Sequence, residues 1–359
     1  MAARKRICVC GVQVPFVRGG AEVLTETLCD QLRARGFEVE LVQLPFSWSP
    51  RVQLLKSCLA WRLLDLRMAG ERPVDLVIAT RFPSYLISHP NKVVWLVHQY
   101  RQAYDLLGTR YSDLAARHED RRLVARIRAM DRRTLAEARA VYAISGNTAA
   151  RLQRFNGLEA GVLYPPPKLG DAYRCGPCGD YVLAVGRLDA LKRFDQLLRA
   201  LAHCRQDVRC RIAGDGPEMP ALRELVGQLG LEGRVELLGR VGDDHLLDLY
   251  AGCRAVYYGP YDEDYGYVTV EAFRSGKPVL TLADSGGVLE LVADGVNGFV
   301  CPPGAPRKLA RRLDQLAADA DLAQRLGAAG RERVAGIAWE PVIRALTASL
   351  TLPAEEVGP

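Results

Sequence analysis

Four charged side chains have the types and spacing to carry chemistry. Arg187 and Lys192 stand in Gly186-Arg-Leu-Asp-Ala-Leu-Lys192, after an apolar run at Tyr181–Val185 and before a helix-like pattern from Phe194 to His203. An arginine fork and a lysine point charge at the C-terminal end of a strand, beside a helix N-terminus that itself favours anions, suit a diphosphate. Two solvated basic residues on a loop would look the same if taken alone. Glu263 and Glu271 come next, one in the loop after the run Ala255–Tyr258 and one on the helix beyond, Thr269–Ser275. A carboxylate on such a helix can accept both hydroxyls of a ribose diol, and the loop carboxylate can hold hydroxyls of a neighbouring sugar. Gly266 permits close backbone approach, and the Val268 and Thr269 amides at the helix start can meet a phosphate. Asp262-x-Asp264 also has the form of a metal-binding pair, but it sits within this better-explained stretch.

The first half adds two candidates. Val17-Arg-Gly-Gly-Ala-Glu22 forms the turn after the first apolar run, and the paired Gly19 and Gly20 before a helix expose backbone N–H groups to an anion. His98 ends the run Val93-Val-Trp-Leu-Val-His98 and is expected at the mouth of a cleft, although lone histidines are more often structural. Neither the Gly19-Gly20 turn nor Gly214-Asp-Gly-Pro217 is GxGxxG, which argues against a dinucleotide oxidoreductase.

The elements that must position these residues alternate along nearly the whole chain. Arg6–Val14, Glu38–Leu44, Asp75–Ala79, Lys92–His98 and Ala140–Ile144 are short apolar runs separated by helical patterns, the first from Ala21 to Arg35. Tyr164-Pro-Pro-Pro167 breaks the pattern, and a Pro-, Gly- and Cys-rich linker runs to Gly179. The alternation then restarts with strands at Val208–Ala213, Val235–Leu238 and Pro278–Thr281. Short apolar strands between helices predict parallel sheets covered on both faces. Two doubly wound α/β domains follow, over 1–165 and 166–337, with a separate terminal helix over 338–352. Such sheets bind ligands at the carboxyl ends of their strands, so the site is expected in a cleft where the two face each other.

Composition agrees. The chain has 359 residues, 49% apolar and 25% charged, which suits two globular domains. No charge-free run exceeds about a dozen residues, against roughly 18 for a spanning helix, and the apolar run from Ile7 is short for a signal peptide. A cytoplasmic location is expected. The net charge of +6 is mild, so nucleic acid is not an expected partner. Of the ten cysteines, Cys8 and Cys10 lie on the first strand. Cys175-Gly-Pro-Cys178 is a single CxxC without the second pair or histidine cluster of a zinc site. Reduced thiols are expected, with a redox or metal role for the linker pair as the alternative.

Together these residues resemble the retaining glycosyltransferases of family 4, which have the GT-B fold. The resemblance runs through GGAE, HQYR at 98–101, GRLDALKRFDQLL, AGDGPE, ELLGRV, EDYGYVTVEAFRSGKPVL and SGGVLELVADGVNGFV, in that order over nearly the whole chain. It implies that Arg187 and Lys192 hold the donor diphosphate, assisted by the Gly19 and Gly20 backbone. It makes Glu271 the ribose carboxylate, Glu263 the one beside the donor sugar, and His98 the histidine near the transferring carbon. Val241 falls where backbone meets the nucleotide base, and Trp339 onward resembles a helix returning to the first domain.

The resemblance also implies a mechanism. The C1–O bond to diphosphate loosens, the two cations stabilise the leaving phosphate, and an acceptor hydroxyl attacks on the same face, giving retention without a metal or other cofactor. Asp243 or Asp244, just after Val241, could accept from guanine N1–H and N2–H, a weak lean toward a GDP-sugar over a UDP-sugar. The acceptor is a glycan, a lipid-linked saccharide or a small molecule. The Arg-rich stretch 110–139 reads as a solvated helix, or as a surface for anionic membrane on the inner face of the plasma membrane. A nucleotide-sugar epimerase of similar fold and a non-catalytic nucleotide-sugar sensor are the competing readings.

Overall fold

The computed structural model describes residues 4–16, 19–114 and 117–350. Val17 and Arg18 of the first turn, residues 115 and 116 of the Arg-rich stretch and residues 351 and 352 of the expected terminal helix lie outside them. The chain divides into two compact units, residues 1–168 with 338–359, and residues 169–337. The boundary falls inside the Pro- and Gly-rich stretch.

The first unit is built on six parallel strands: β1 (Arg6–Gln13), β2 (Glu38–Pro45), β3 (Leu76–Ala79), β4 (Lys92–Leu96), β5 (Ala140–Ala143) and β6 (Gly161–Val162). Their order is β2-β1-β3-β4-β5-β6. β3 and β4 are buried at every residue, as continuous apolar runs in the middle of a parallel sheet must be. Helices α1 (Gly20–Ala34), α2 (Arg51–Leu63), α3 (His118–Ala136) and α4 (Gly146–Asn156) connect them. The serine before α4 caps it, Ser145 Oγ accepting from Thr148 N–H at 3.0 Å. The terminal helix, designated α11 (Trp339–Thr347), belongs to this unit: Trp339 packs edge-on against Trp95 with ring centres 6.0 Å apart, and Glu340 pairs with Arg35 at 3.2 Å.

The second unit repeats the plan with β7 (Tyr181–Val185), β8 (Arg209–Ala213), β9 (Val235–Gly239), β10 (Ala255–Tyr257), β11 (Val279–Leu282) and β12 (Gly298–Cys301). The order β9-β8-β7-β10-β11-β12 reverses direction between β7 and β10. Ligands of doubly wound sheets bind where strand order reverses, so the loops after β7 and β10 are the ones to inspect. Helices α5 (Phe194–Leu201), α6 (Met219–Gln228), α7 (Asp243–Gly252), α8 (Tyr267–Arg274), α9 (Pro306–Ala318) and α10 (Ala320–Val334) cover the sheet.

Most element boundaries shift by one or two residues from the sequence reading, and one shift bears on the site. The strand expected to run to His98 ends at Leu96; Val97 N–H still donates to Thr80 O at 2.7 Å, and His98 stands just beyond. All ten cysteines are free thiols. No helix among the described residues is long and apolar enough to cross a membrane, and no group of three or more His, Cys, Asp or Glu among them could hold a metal ion.

Candidate active site

The loop after β7 is shaped by glycines of its neighbour. Gly186 N–H donates to Ala213 O at 3.1 Å and Leu188 N–H to Asp215 O at 3.0 Å. This backbone contact leaves no room for a β-carbon at Gly214 or Gly216, which would run into the carbonyls of Gly186 and Leu188. Leu188 is fully buried and anchors the loop, while Arg187 beside it is exposed. Arg187 makes no hydrogen bond or ion pair among the described residues, so its guanidinium is available to a ligand.

Lys192 ends a 3₁₀ turn (Ala190–Lys192) whose last amide donates to Asp189 O at 3.0 Å. Its Nζ lies 2.5 Å from Glu263 Oε2 and donates to the Tyr258 hydroxyl at 3.0 Å. Burial pushes the ammonium down, but the charge of Glu263 and these hydrogen bonds outweigh it and hold Lys192 above its ordinary value. Arg193 follows in the left-handed region at φ 52° and is almost wholly buried. It donates to Gly259 O at 2.8 Å and Pro260 O at 2.6 Å, and grips Asp284 through two bonds of 2.8 and 2.6 Å. Arg193 therefore ties together the loops after β7, β10 and β11.

Glu263 is held by its own backbone. Asp262 N–H donates to Asp284 O at 2.8 Å, Glu263 N–H to Ser285 O at 3.2 Å, and Gly287 N–H to Glu263 O at 2.8 Å. Gly287 must be glycine here, because a β-carbon would meet the Asp264 carbonyl. Gly266, at φ 88° before α8, has no room for one between Tyr258 and Val288. Thr269 N–H already donates to Gly266 O at 3.0 Å, which leaves the Tyr267 and Val268 amides as the orphan donors of the helix start. The Thr269 hydroxyl is buried without a partner among the described residues.

Glu271, one turn further along α8, accepts from the Tyr250 hydroxyl of α7 at 2.7 Å and is also bonded by Tyr173 of the linker. Burial raises its carboxyl above the ordinary value; the two tyrosines oppose that, and the charge of Asp243 adds to it. Asp243 is the first residue of α7, and Val241 lies two residues before it in the β9–α7 loop. The second unit thus gathers Arg187, Lys192 and Glu263 around one loop pair, and Glu271 with Asp243 around another. Arg193, Tyr250, Tyr173 and Tyr258 were not anticipated, and only Arg193, directly after Lys192, stands next to a motif residue.

In the first unit, Gly19 N–H donates to Glu22 Oε2 at 2.8 Å, so GGAE caps its own helix and leaves Gly20 N–H at the turn. Glu22 also pairs with Arg81, which reaches back to Val12 O. His98 Nδ1 lies 2.9 Å from Gln99 O, which favours the proton on Nδ1. A buried chain unseen in the sequence continues from there. Gln99 Nε2 donates to Asn156 Oδ1 at 2.6 Å, Asn156 Nδ2 to the Tyr104 hydroxyl at 3.3 Å, and Tyr104 to Asp131 Oδ2 at 2.7 Å. Arg101 of HQYR is bonded to Asp105 at 2.8 Å through Nε.

Residues 179–333, nearly the whole second unit, match the family model described as glycosyl transferases group 1. That stretch is similar to the group 1 glycosyl transferases. The D-inositol 3-phosphate glycosyltransferase of Streptomyces scabiei is 34% identical over 170 residues, 44% of this chain and 38% of that protein. The one from Nocardia farcinica is 31% identical over 234 residues, 58% of this chain and 51% of that one. The chain spans only about half, or less, of the length of these relatives. Over nearly its full length it has the GT-B fold. Sucrose-phosphate synthase from Thermosynechococcus elongatus superposes with a TM-score of 0.78 at 20% identity, covering 96% of this chain and 100% of that one. Anabaena HepE in complex with UDP and glucose gives 0.71 at 21% identity, covering 97% and 99%. The loops after β7 and β10 lie within the matched stretch.

Proposed function

We propose that the chain is a retaining hexosyltransferase that moves a hexose from a nucleoside-diphosphate sugar to a hydroxyl of a glycan, a lipid-linked saccharide or a small molecule. The observation that carries this reading is the Lys192–Glu263 pair at 2.5 Å beside the unpaired Arg187, at the point where strand order reverses. The second unit binds the donor and the first presents the acceptor, with His98 near the transferring carbon. Arg187, Lys192 and the Val268 amide take the charge that grows on the leaving phosphate as the C1–O bond opens. The acceptor hydroxyl attacks C1 on the same face, and the leaving phosphate takes its proton. Two fixed cations and helix-end amides do what a divalent ion would do, so transfer is expected to survive a chelator.

For the base we favour uracil. Guanine recognition depends on Asp243 or Asp244, and the charge of Asp243 already acts on the Glu271 carboxyl, raising it. HepE, of the same fold, is in complex with UDP. Thermal shifts with UDP, GDP, ADP, dTDP and NAD test the reading. Saturation at about 100 times the dissociation constant adds roughly 2.7 kcal/mol, several degrees for a protein of this size. A shift with UDP or GDP, followed by transfer from the matching sugar, supports it. A shift with NAD alone, or product formed without acceptor, overturns it in favour of an epimerase or an oxidoreductase.

We also propose peripheral attachment to anionic membrane through α2 and α3. Arg128 packs over the Tyr104 and Phe155 rings and donates to Ala103 O, so it is withdrawn from that surface. Arg121, Arg122, Arg126, Arg132 and Arg133 remain exposed, and α2 exposes Val52, Leu59 and Leu63. Flotation with anionic vesicles at low salt should carry the protein upward; failure to float there ends the idea.

A further inference from the structure

Cys175 and Cys178 play no part in the site above, yet both line one cavity of about 270 Å³ together with Arg254, Lys277 and Arg331. The turn between them is pinned. Lys277 Nζ donates to the carbonyls of Gly176 and Pro177, both at 3.2 Å, and Arg254 Nε donates to Gly179 O at 2.7 Å. Arg331 Nη1 points at Cys175 Sγ from 3.6 Å. None of the three cations has a carboxylate partner among the described residues, so the cavity is electropositive with two thiols in its wall.

The other cysteines set the contrast. Cys175 is the exposed one; Cys178 and Cys204 are half-buried and the other seven are buried. Cys204 is turned to the carbonyls of Ala200 and Ala310, and burial pushes its thiol up to about 12. Reactive cysteines sit in electropositive, accessible surroundings and structural ones do not, and only the 175–178 pair meets that description.

We propose that Cys175 and Cys178 form a redox-modified dithiol whose co-reactant is an anionic low-molecular-weight disulfide of the glutathione class. The Cys175 thiolate attacks one sulfur of the disulfide RSSR. This forms Cys175–S–SR and releases RS⁻, which takes up the proton Cys175 gave away. The Cys178 thiolate then attacks Cys175 Sγ, forms the Cys175–Cys178 bond and expels the second RS⁻, which is protonated in turn. Two protein thiols and RSSR thus become one protein disulfide and two RSH, with two electrons passing to the small disulfide. Arg331, Lys277 and Arg254 draw the anionic reagent to the cavity and would repel a cationic one.

The test uses the full chain, oxidised glutathione and the cationic disulfide cystamine, read by intact mass and peptide mapping. The unaltered protein should lose two hydrogens within the 175–178 peptide and keep no adduct. Cys178→Ser should trap one glutathionyl group on Cys175, and Cys175→Ser should show neither product. At low salt, oxidised glutathione should react at least about threefold faster than cystamine, and the preference should shrink at high salt. Arg331→Gln, with an unchanged melting temperature, should reduce it. Reaction first at Cys204, no reaction at Cys175, or a preference unaffected by Arg331→Gln would each overturn the proposal.

Discussion

Lys192 Nζ lies 2.5 Å from Glu263 Oε2, so the cation expected on the leaving phosphate and the carboxylate expected beside the sugar form one ion pair before a donor arrives. The pair is only about one-fifth exposed on either side, so each residue holds the other in place. Lys192→Ala should lower kcat/KM for transfer by about 10²–10³, the usual effect of removing a preorganised charge stabiliser. Because the partners touch, Glu263→Gln in the Lys192→Ala background should cost less than Glu263→Gln alone, with a coupling of about 0.5–3 kcal/mol. Additive losses in that double-mutant cycle would mean the two act separately.

Arg187 should behave differently, since it has no hydrogen bond or ion pair among the described residues. Arg187→Ala is expected to leave stability within about 0.5 kcal/mol of the parent. It should weaken UDP binding about ten- to hundredfold, as loss of hydrogen bonds to a charged group does. Titration calorimetry beside a thermal melt separates the two effects. A large fall in melting temperature with unchanged UDP affinity would make Arg187 a structural residue.

Glu271 depends on Tyr250 for its charge. The carboxyl sits above its ordinary value because burial outweighs the two tyrosine hydrogen bonds, so a lower pH protonates it and would weaken the hold on a ribose diol proposed for it. Tyr250→Phe removes the 2.7 Å bond and should raise that carboxyl further. The acid limb of kcat/KM should then move to higher pH, with a several-fold rise in KM for the donor at neutral pH. An acid limb that stays put would show that another group sets it.

Ten of the twelve strands of the two parallel sheets are legible because they are continuous apolar runs, whereas the two-residue β6 and the Gly298–Cys301 strand β12 at the sheet edges are too short to stand out. The motif loops are legible because tight turns need glycine at fixed places. The site's supports were not. Arg193 reads as one more basic residue after Lys192, and only the folded chain brings it to Asp284, 91 positions away, where it joins three loops. Tyr250 and Tyr173 lie 77 residues apart and meet with ring centres 5.9 Å apart over Glu271. Long-range side-chain pairs leave no local period or spacing behind. For the same reason α2 and α4 drew no notice, since neither carries a motif residue.

The buried chain that begins beside His98 makes the final prediction, because it ends on an acid that titrates. Asp131 is wholly buried on α3, and burial raises its carboxyl to about 7, against the hydrogen bond from Tyr104. Between the ordinary value of 3.8 and about 7 the folded protein therefore holds a proton that the unfolded chain has released. Stability should fall as pH rises through that window. At about 1.4 kcal/mol per unit, the loss from this group is on the order of 4 kcal/mol. Asp131→Asn keeps an oxygen for the Tyr104 hydroxyl and never ionises. Its melting temperature should match the parent below about pH 3.8 and exceed it by several degrees at pH 8, while Gln99, Asn156 and the loop bearing His98 stay in place. Melting curves whose difference does not change with pH would mean that Asp131 is already ionised in the fold, and that Tyr104 holds a carboxylate rather than an acid.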